Sequence, residues 1–452
     1  MKAFFLSAAI ICVSALAPAT RVFAQPLYFP PLTGNQWETI APASLGWNVS
    51  QIDPLFDFLD QNNTKAFILL KDGKIVLEKY FGTFRQDSLW YWASAGKTLT
   101  SVLVGIAQQE KYLSINDATS RWLGAGWTSA PRDKENLITV RHQLTMTTGL
   151  DDGVSDPYCT EPRCLIYQAD AGTRWAYHNG PYTLLDAVIQ AATGQTLNQY
   201  FIAKVRNKIG MDGAFIKVGY NNVYFSTARS MARFGLMILN KGKWNQTPVL
   251  SDSVYFHEMT NTSQSLNLSY GYLWWLNGKP TYMVPQSQHV FPGPLNIDAP
   301  RDMFAALGKN GQLLNIVPSM NLVLIRMGDA PDNSLVPFTL NNLIWQKLNL
   351  VINQPTGVRE STVAPAAFGL SQNYPNPFNP STVISFHLPV NSHVTLKVFD
   401  VTGREVATLV EGNLAAGNHT VPFVPRDLAG GIYFYQLTAG KFSQTRKTIL
   451  MK

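Results

Sequence analysis

At 452 residues the chain is too long for one ordinary domain and fits two or three. Only 14% of its residues are charged and 46% are hydrophobic, which excludes a disordered chain and supplies enough apolar side chains for sizeable cores. The formal net charge of +7 comes without a basic run, which argues against a nucleic-acid partner.

Residues 1–24 read as a secretory leader, with Lys2 at the start, an apolar stretch from Phe4 to Leu16, and Val22-Phe23-Ala24 as the cleavage signal before Gln25. That stretch is short for a membrane span, and no other is long and apolar enough to predict a transmembrane anchor. Cys12 lacks the small residue expected before a lipidated cysteine. Ala66-Phe67-Ile68-Leu69-Leu70 and Ile75-Val76-Leu77-Glu78-Lys79-Tyr80 flank an Asp72-Gly73 turn and predict a β-hairpin.

The next stretch carries chemistry. In Trp92-Ala93-Ser94-Ala95-Gly96-Lys97, Ser94 and Lys97 stand three apart, and Leu99, Val102, Leu103 and Ile106 follow at helical spacing. The pattern puts Ser94 at the first turn of a helix with Lys97 one turn on, on the same face. A serine hydroxyl is a weak nucleophile until a base takes its proton, and a lysine is that base only as the neutral amine. Burial and the positive end of a helix dipole both lower a lysine pKa. The pattern occurs once in the chain.

Residues 109–117 run from this helix into a loop. Ile138 to Leu150 predicts a capped helix stopped by Gly149. Cys159 and Cys164, the two cysteines beyond the leader, predict a disulfide stapling a surface loop in an exported protein. The seven histidines are scattered and none pairs with these cysteines at ligand spacing, so no metal site is expected. Tyr177-His178-Asn179 is a second candidate constellation. A tyrosine beside a lysine ammonium can be held as phenolate and act as a base, and an asparagine can orient the lysine or bind a substrate carbonyl. His178 reads as positional. Tyr220-Asn221-Asn222 and Tyr374-Pro375-Asn376 share the spacing without the flanking context.

Helical patterns continue over Tyr182–Thr193 and Ser226–Lys241. Strands return at Met303–Leu307, Leu313–Val317 and Leu322–Met327, which predicts one sheet built from both ends of a domain around a helical insert. Residues 353–368 read as a linker. Short alternating strands follow, among them Val383–Leu388, Val394–Phe399 and Ile432–Leu437, and predict a small all-β sandwich.

Three blocks taken together resemble the serine β-lactamase-related hydrolases, nearest the branch of class C β-lactamases, esterases and aminohexanoate-oligomer hydrolases. They are Ser94-Ala95-Gly96-Lys97, the run from Ile138 to Leu150, and Gly172-Thr173-Arg174-Trp175-Ala176-Tyr177-His178-Asn179, with a shorter echo at Ile209-Gly210-Met211. The resemblance implies an α+β fold, a β-lactamase/transpeptidase-like antiparallel sheet with flanking helices and a helical subdomain, over residues 25–352. It also implies roles. Ser94 is acylated, Lys97 and Tyr177 share the proton traffic, and Asn179 positions Lys97 or the substrate. The Ser94 N–H is one oxyanion donor, and the other comes from the strand near Met303–Lys309. No cofactor is implied.

The family's third motif is not clear. Lys309-Asn310-Gly311 is nearest to it, but the flanking strands put it in a turn, Gly308-Lys309-Asn310-Gly311, so Lys309 is either a substrate contact or a turn lysine. Met303-Phe304-Ala305-Ala306-Leu307 carries no cation, and an apolar edge of this kind suits neutral acyl groups. Trp274 and Trp275 pack in the core or wall the pocket. Residues 369–452 resemble the type A sorting domain of the type IX secretion system through Tyr374-Pro375-Asn376-Pro377-Phe378-Asn379-Pro380, Val398-Phe399-Asp400-Val401-Thr402-Gly403-Arg404 and Gly430-Gly431-Ile432-Tyr433. The resemblance implies the secretion machinery as a partner, and passage through the periplasm to the outer-membrane surface or beyond. The expected activity is hydrolysis of a small ester, amide or peptide-like substrate through a Ser94 acyl-enzyme. The alternatives are a β-lactamase or D-alanyl-D-alanine peptidase, and a catalytically silent binding or sensor protein of the same fold.

Overall fold

The computed structural model describes residues 27–329, 334–352, 368–373, 376–379, 382–425 and 427–451. The expected leader, nearly all of the expected linker, and Tyr374, Pro375 and Pro380 of the sorting-domain opening lie outside the described residues.

The Asp72-Gly73 turn joins Thr64–Lys71 to Lys74–Tyr80, with φ of +52° and +83° as a two-residue hairpin turn requires. The hairpin is one side of a six-stranded antiparallel sheet. Thr64–Lys71 pairs with Leu322–Gly328, followed by Gln312–Val317, Phe304–Gly308 and Trp275–Leu276. The sheet is therefore assembled from both ends of the domain, as the strand pattern predicts. Its alternating side chains serve two faces. On one face, Leu314, Ile316 and Val323 meet helix Ala228–Leu239, so closely that a Cβ on Gly235 would lie 2.5 Å from Val323 Cγ1. On the other, Asn315 donates to Asn341 of helix Phe338–Ile352, which packs beside helix Ile52–Gln61.

Between the sheet halves lie the helices and loops that carry the candidate site. One expectation fails here. The helix expected from 138 to 150 spans only Val140–Leu144. Thr139 caps it and His142 closes a capping box, but Met146 takes φ +59° and turns the chain away three residues before Gly149. The Thr147 N–H donates to the His142 carbonyl at 2.8 Å and continues no helix.

The C-terminal region forms two sheets around its own core. Thr382–Leu388 alternates buried and half-buried residues without a break, and Ile384, Phe386 and Leu388 meet Leu396, Val398 and Tyr435 in that core. No helix among the described residues is long and apolar enough to cross a membrane.

Candidate active site

Trp92 anchors the start of the site. Its indole is buried, its Nε1 donates to Ser226 Oγ at 2.8 Å, and its backbone N–H donates to the Tyr224 carbonyl at 2.8 Å. Ala93 then adopts φ +47°, a left-handed conformation that costs a residue bearing a Cβ about 1–2 kcal/mol. The chain tightens into a 3-10 turn over Ala93–Gly96 and continues as helix Lys97–Gln109. Ser94 sits on the turn, and Lys97 is the first residue of the helix.

Lys97 Nζ lies 3.0 Å from Ser94 Oγ. The lysine is 5% exposed, with Nζ 4.3 Å from the Tyr182 ring centroid and 5.2 Å from that of Tyr177. Burial lowers its pKa to about 7, against the opposing pull of the Asp186 charge. A substantial fraction of the amine is therefore unprotonated near neutrality, which is the form that accepts a proton.

Tyr177 comes to the same point from the opposite side. Its ring stacks on Trp275 at 5.7 Å and meets Tyr270 edge-on at 6.3 Å. Burial raises its pKa, with the Ser94 hydroxyl pulling the other way. Burial therefore favours the phenol at Tyr177 over the phenolate the sequence allows. His178 is 1% exposed, and burial lowers its pKa to about 4, which leaves it a neutral core residue. Asn179 opens the short helix Asn179–Thr183, and its buried Oδ1 has no hydrogen-bond partner among the described residues.

The loop before that helix is closed by the Cys159–Cys164 disulfide. It is seated on Gly180, where a Cβ would lie 2.4 Å from the Cys159 carbonyl oxygen. The Gly180 N–H donates to the Pro157 carbonyl at 2.9 Å, and Pro157 and Tyr158 form one wall of the cleft at Ser94.

Strand Phe304–Gly308 lies against the Ser94 turn and leads into Lys309, which lines the cleft. A Cβ on Gly308 would lie 2.4 Å from the Trp92 carbonyl oxygen and 2.9 Å from the Ala95 nitrogen, so only glycine lets this strand lie against the Ser94 turn. Lys309–Gly311 follows as a 3-10 turn in which Asn310 has φ +64° and donates to Tyr91 Oη at 2.6 Å. Arg326, fully buried, braces this turn. Its Nη1 donates to the carbonyls of Asn310 and Gly311 at 2.9 and 2.8 Å, and its Nη2 to those of Asn62 and Asp329 at 2.6 and 3.0 Å.

Ser94, Tyr177, Asn179 and Lys309 thus line one narrow cleft of about 90 Å³, with Lys97 beneath Ser94. Lys309 is both a turn residue and a cleft residue. The apolar wall expected from the edge strand is absent. Phe304, Ala305, Ala306 and Leu307 are buried in the core, as are Trp274 and Trp275, while the cleft also presents the polar side chains of Asp152 and Gln286. Trp275, one of the two tryptophans expected in the core or at the pocket wall, is buried and stacks on Tyr177, while sequence reading missed Tyr182 under Lys97 and Arg326 behind Lys309. Arg326 alone left a signal, a single cation inside the apolar run Leu322–Met327.

Residues 60–334 match the beta-lactamase family, and residues 372–451 match the secretion system C-terminal sorting domain. The sorting domain marks the protein for secretion by the type IX system to the cell surface or beyond. No curated protein matches the chain. Among solved structures it is similar to a putative 6-aminohexanoate-dimer hydrolase from Bacillus anthracis, with 18% identity and a TM-score of 0.54 over 70% of this chain and 87% of that one. It is also similar to a putative beta-lactamase from Bacteroides dorei, with 18% identity and a TM-score of 0.54 over 68% and 100% of the two chains. A penicillin-binding protein homologue from Caulobacter crescentus gives 13% identity and a TM-score of 0.53 over 70% and 99%. At such identities the likeness is one of fold. With the family matched over the region that holds Ser94, Lys97, Tyr177, Asn179 and Lys309, the chain belongs to the beta-lactamase family.

Proposed function

We propose that the protein is an exported serine hydrolase that cleaves small esters or amides through a Ser94 acyl-enzyme. The observation that carries this reading is the buried Lys97 amine, 3.0 Å from Ser94 Oγ and with its pKa lowered to about 7. Neutral Lys97 takes the Ser94 proton as Oγ attacks the carbonyl carbon. The oxyanion accepts from the Ser94 N–H and from the backbone N–H of Lys309, which follows Gly308 where the strand meets the Ser94 turn. The proton then passes from Lys97 to the leaving group, with the Tyr177 phenol in the cleft to relay it. Water repeats the sequence in reverse and frees Ser94. Asn179, with its Oδ1 unpartnered, accepts a hydrogen bond from the substrate.

The cleft volume of about 90 Å³ favours small acyl groups, since pockets for drug-sized ligands run to roughly 300–1,000 Å³. A second reading, β-lactam or D-alanyl peptide hydrolysis, is favoured by Lys309, a cation at the cleft that a substrate carboxylate can meet. A p-nitrophenyl ester and nitrocefin assayed on one preparation separate the two. The ester is expected to give the higher kcat/KM. Far more efficient turnover of nitrocefin, lost in Lys309→Ala, would establish the second reading. Intact-mass spectrometry with a fluorophosphonate tests the shared step: wild type gains one adduct and Ser94→Ala none. A wild type that takes no adduct and turns over neither substrate would favour a silent binding protein.

A further inference from the structure

Behind Lys97 the structure holds a carboxylate that the reaction above does not use. Helix Leu185–Thr193 packs on helix Lys97–Gln109 and brings Asp186, 9% exposed, into the interior. Asp186 lies one helical turn beyond Tyr182, the ring that carries Lys97 Nζ. Asn222, on strand Asn221–Ser226, donates to Asp186 Oδ2 at 2.8 Å. Thr100, one turn along the helix from Lys97, is fully buried, and neither its hydroxyl nor Asp186 Oδ1 has a hydrogen-bond partner among the described residues. On its outer side Asp186 lines a second cavity of about 310 Å³ with Asn222 and Lys217, and this cavity shares no lining residue with the Ser94 cleft.

We infer that Asp186 is a positioning residue for the Ser94–Lys97 pair, its carboxylate governing the proton occupancy of Lys97 from a cavity separate from the one the substrate enters. The inference rests on Lys97 being the base proposed above. The charged and titratable groups around this point are Lys97, Asp186, the exposed Lys217, and the phenols of Tyr177, Tyr182 and Tyr270. Burial raises all three phenols, so they carry no charge near neutrality. Lys217 and the Asn222 hydrogen bond both favour the Asp186 anion, while burial opposes it and raises its pKa to about 7. An ionised Asp186 holds the proton on Lys97, and a protonated one releases that hold. The charge state of a residue the substrate does not meet thus sets how much of the base is in its working form.

The test is the pH dependence of Ser94 modification by a fluorophosphonate in the full-length protein. The Ser94 oxygen forms the bond to phosphorus, fluoride leaves, and Lys97 takes the serine proton, so the rate follows the neutral fraction of Lys97. Asp186→Asn is expected to move the midpoint of the acid limb down by up to about one pH unit, with the variant reacting about twofold faster near the wild-type midpoint and converging on wild type well below it, where Asp186 is itself protonated. Asp186→Glu, which keeps the charge, is expected to keep the midpoint near its wild-type position. A merely structural role would scale the rate at every pH and leave the midpoint in place, and that result in folded Asp186→Asn overturns the inference. If Asp186→Asn does not fold, Asn222→Ala serves. It removes a hydrogen bond to the anion without removing a charge, and is expected to move the midpoint the same way by less, with an unmoved midpoint again overturning the inference. A Lys97→Ala protein that reacts at the wild-type rate overturns the base reading itself. An unmoved midpoint with Lys97 still required overturns only the role of Asp186.

Discussion

Ser94 and Lys97 divide one task, and removing either separates covalent chemistry from proton transfer. Ser94→Ala is expected to abolish turnover, by at least about 10³-fold, while leaving the melting temperature close to wild type, because the side chain is half-buried at the cleft and packs in no core. Rates like wild type in that variant would remove Ser94 from the mechanism. Lys97 makes the activity pH-dependent in a defined direction. Its pKa of about 7 lies far below that of a solvated lysine, and its working form is the deprotonated one. The kcat/KM for a neutral ester should therefore rise as pH climbs through about 7 and level off above it. A profile flat from pH 5 to 8 would exclude Lys97 as the base. Tyr177→Phe keeps the ring stacked on Trp275 and loses only the hydroxyl. It is expected to slow turnover by about 10²-fold at unchanged stability, which steady-state kinetics beside a thermal melt will measure.

At the scale of elements, the cleft is held in shape by parts that do no chemistry. The Lys309 turn depends on Arg326, which supplies donors to the carbonyls of Asn62, Asn310, Gly311 and Asp329. Arg326→Leu leaves these acceptors without their partner and is expected to cost about 3 kcal/mol or more in urea unfolding. It should also lower kcat, because the turn positions the Lys309 N–H proposed as an oxyanion donor. A loss below about 1 kcal/mol would show that the turn holds itself. The Cys159–Cys164 loop is the opposite case. It spans few residues, so chain entropy limits its stabilisation to about 2 kcal/mol, and the double serine variant is expected to act through KM, by freeing Pro157 and Tyr158 at the cleft. The sequence displayed these elements unevenly, for physical reasons. Asp72-Gly73 declares its hairpin because a two-residue turn demands positive φ, a local requirement. The residues from 138 to 150 keep an apolar helical rhythm past Leu144, yet the chain turns at Met146 to seat the next loop, a demand of tertiary packing that periodicity does not encode. Ser94 and Lys97 were legible because they stand three positions apart, where one short turn leads into the helix. Lys97 and Asp186 were not, because two helices far apart in the chain bring them together.

At the scale of the whole molecule, the two large hydrophobic cores among the described residues share no residue: one extends from Trp47 to Val351, with a small satellite cluster around Trp127 and Leu165, and the other from Leu370 to Leu450. Both were visible in the sequence as changes of rhythm, from mixed helical and strand patterns to short alternating strands such as Thr382–Leu388. Every residue proposed for catalysis belongs to the first part, and the sorting domain matches 372–451 in the second. Separate cores imply separable tasks, since each part buries its own apolar surface and can remain folded when the other is removed. A chain ending near Ala364 should therefore hydrolyse a p-nitrophenyl ester with a kcat/KM within about twofold of the full-length protein, because no side chain at the cleft is lost. In a host with a type IX system the same truncated chain should remain in the periplasm, while the full chain reaches the surface. Cell fractionation with an activity stain reads both outcomes at once. Active truncated protein at the surface would refute the sorting role, and an inactive, unfolded truncated chain would show that the second core supports the first.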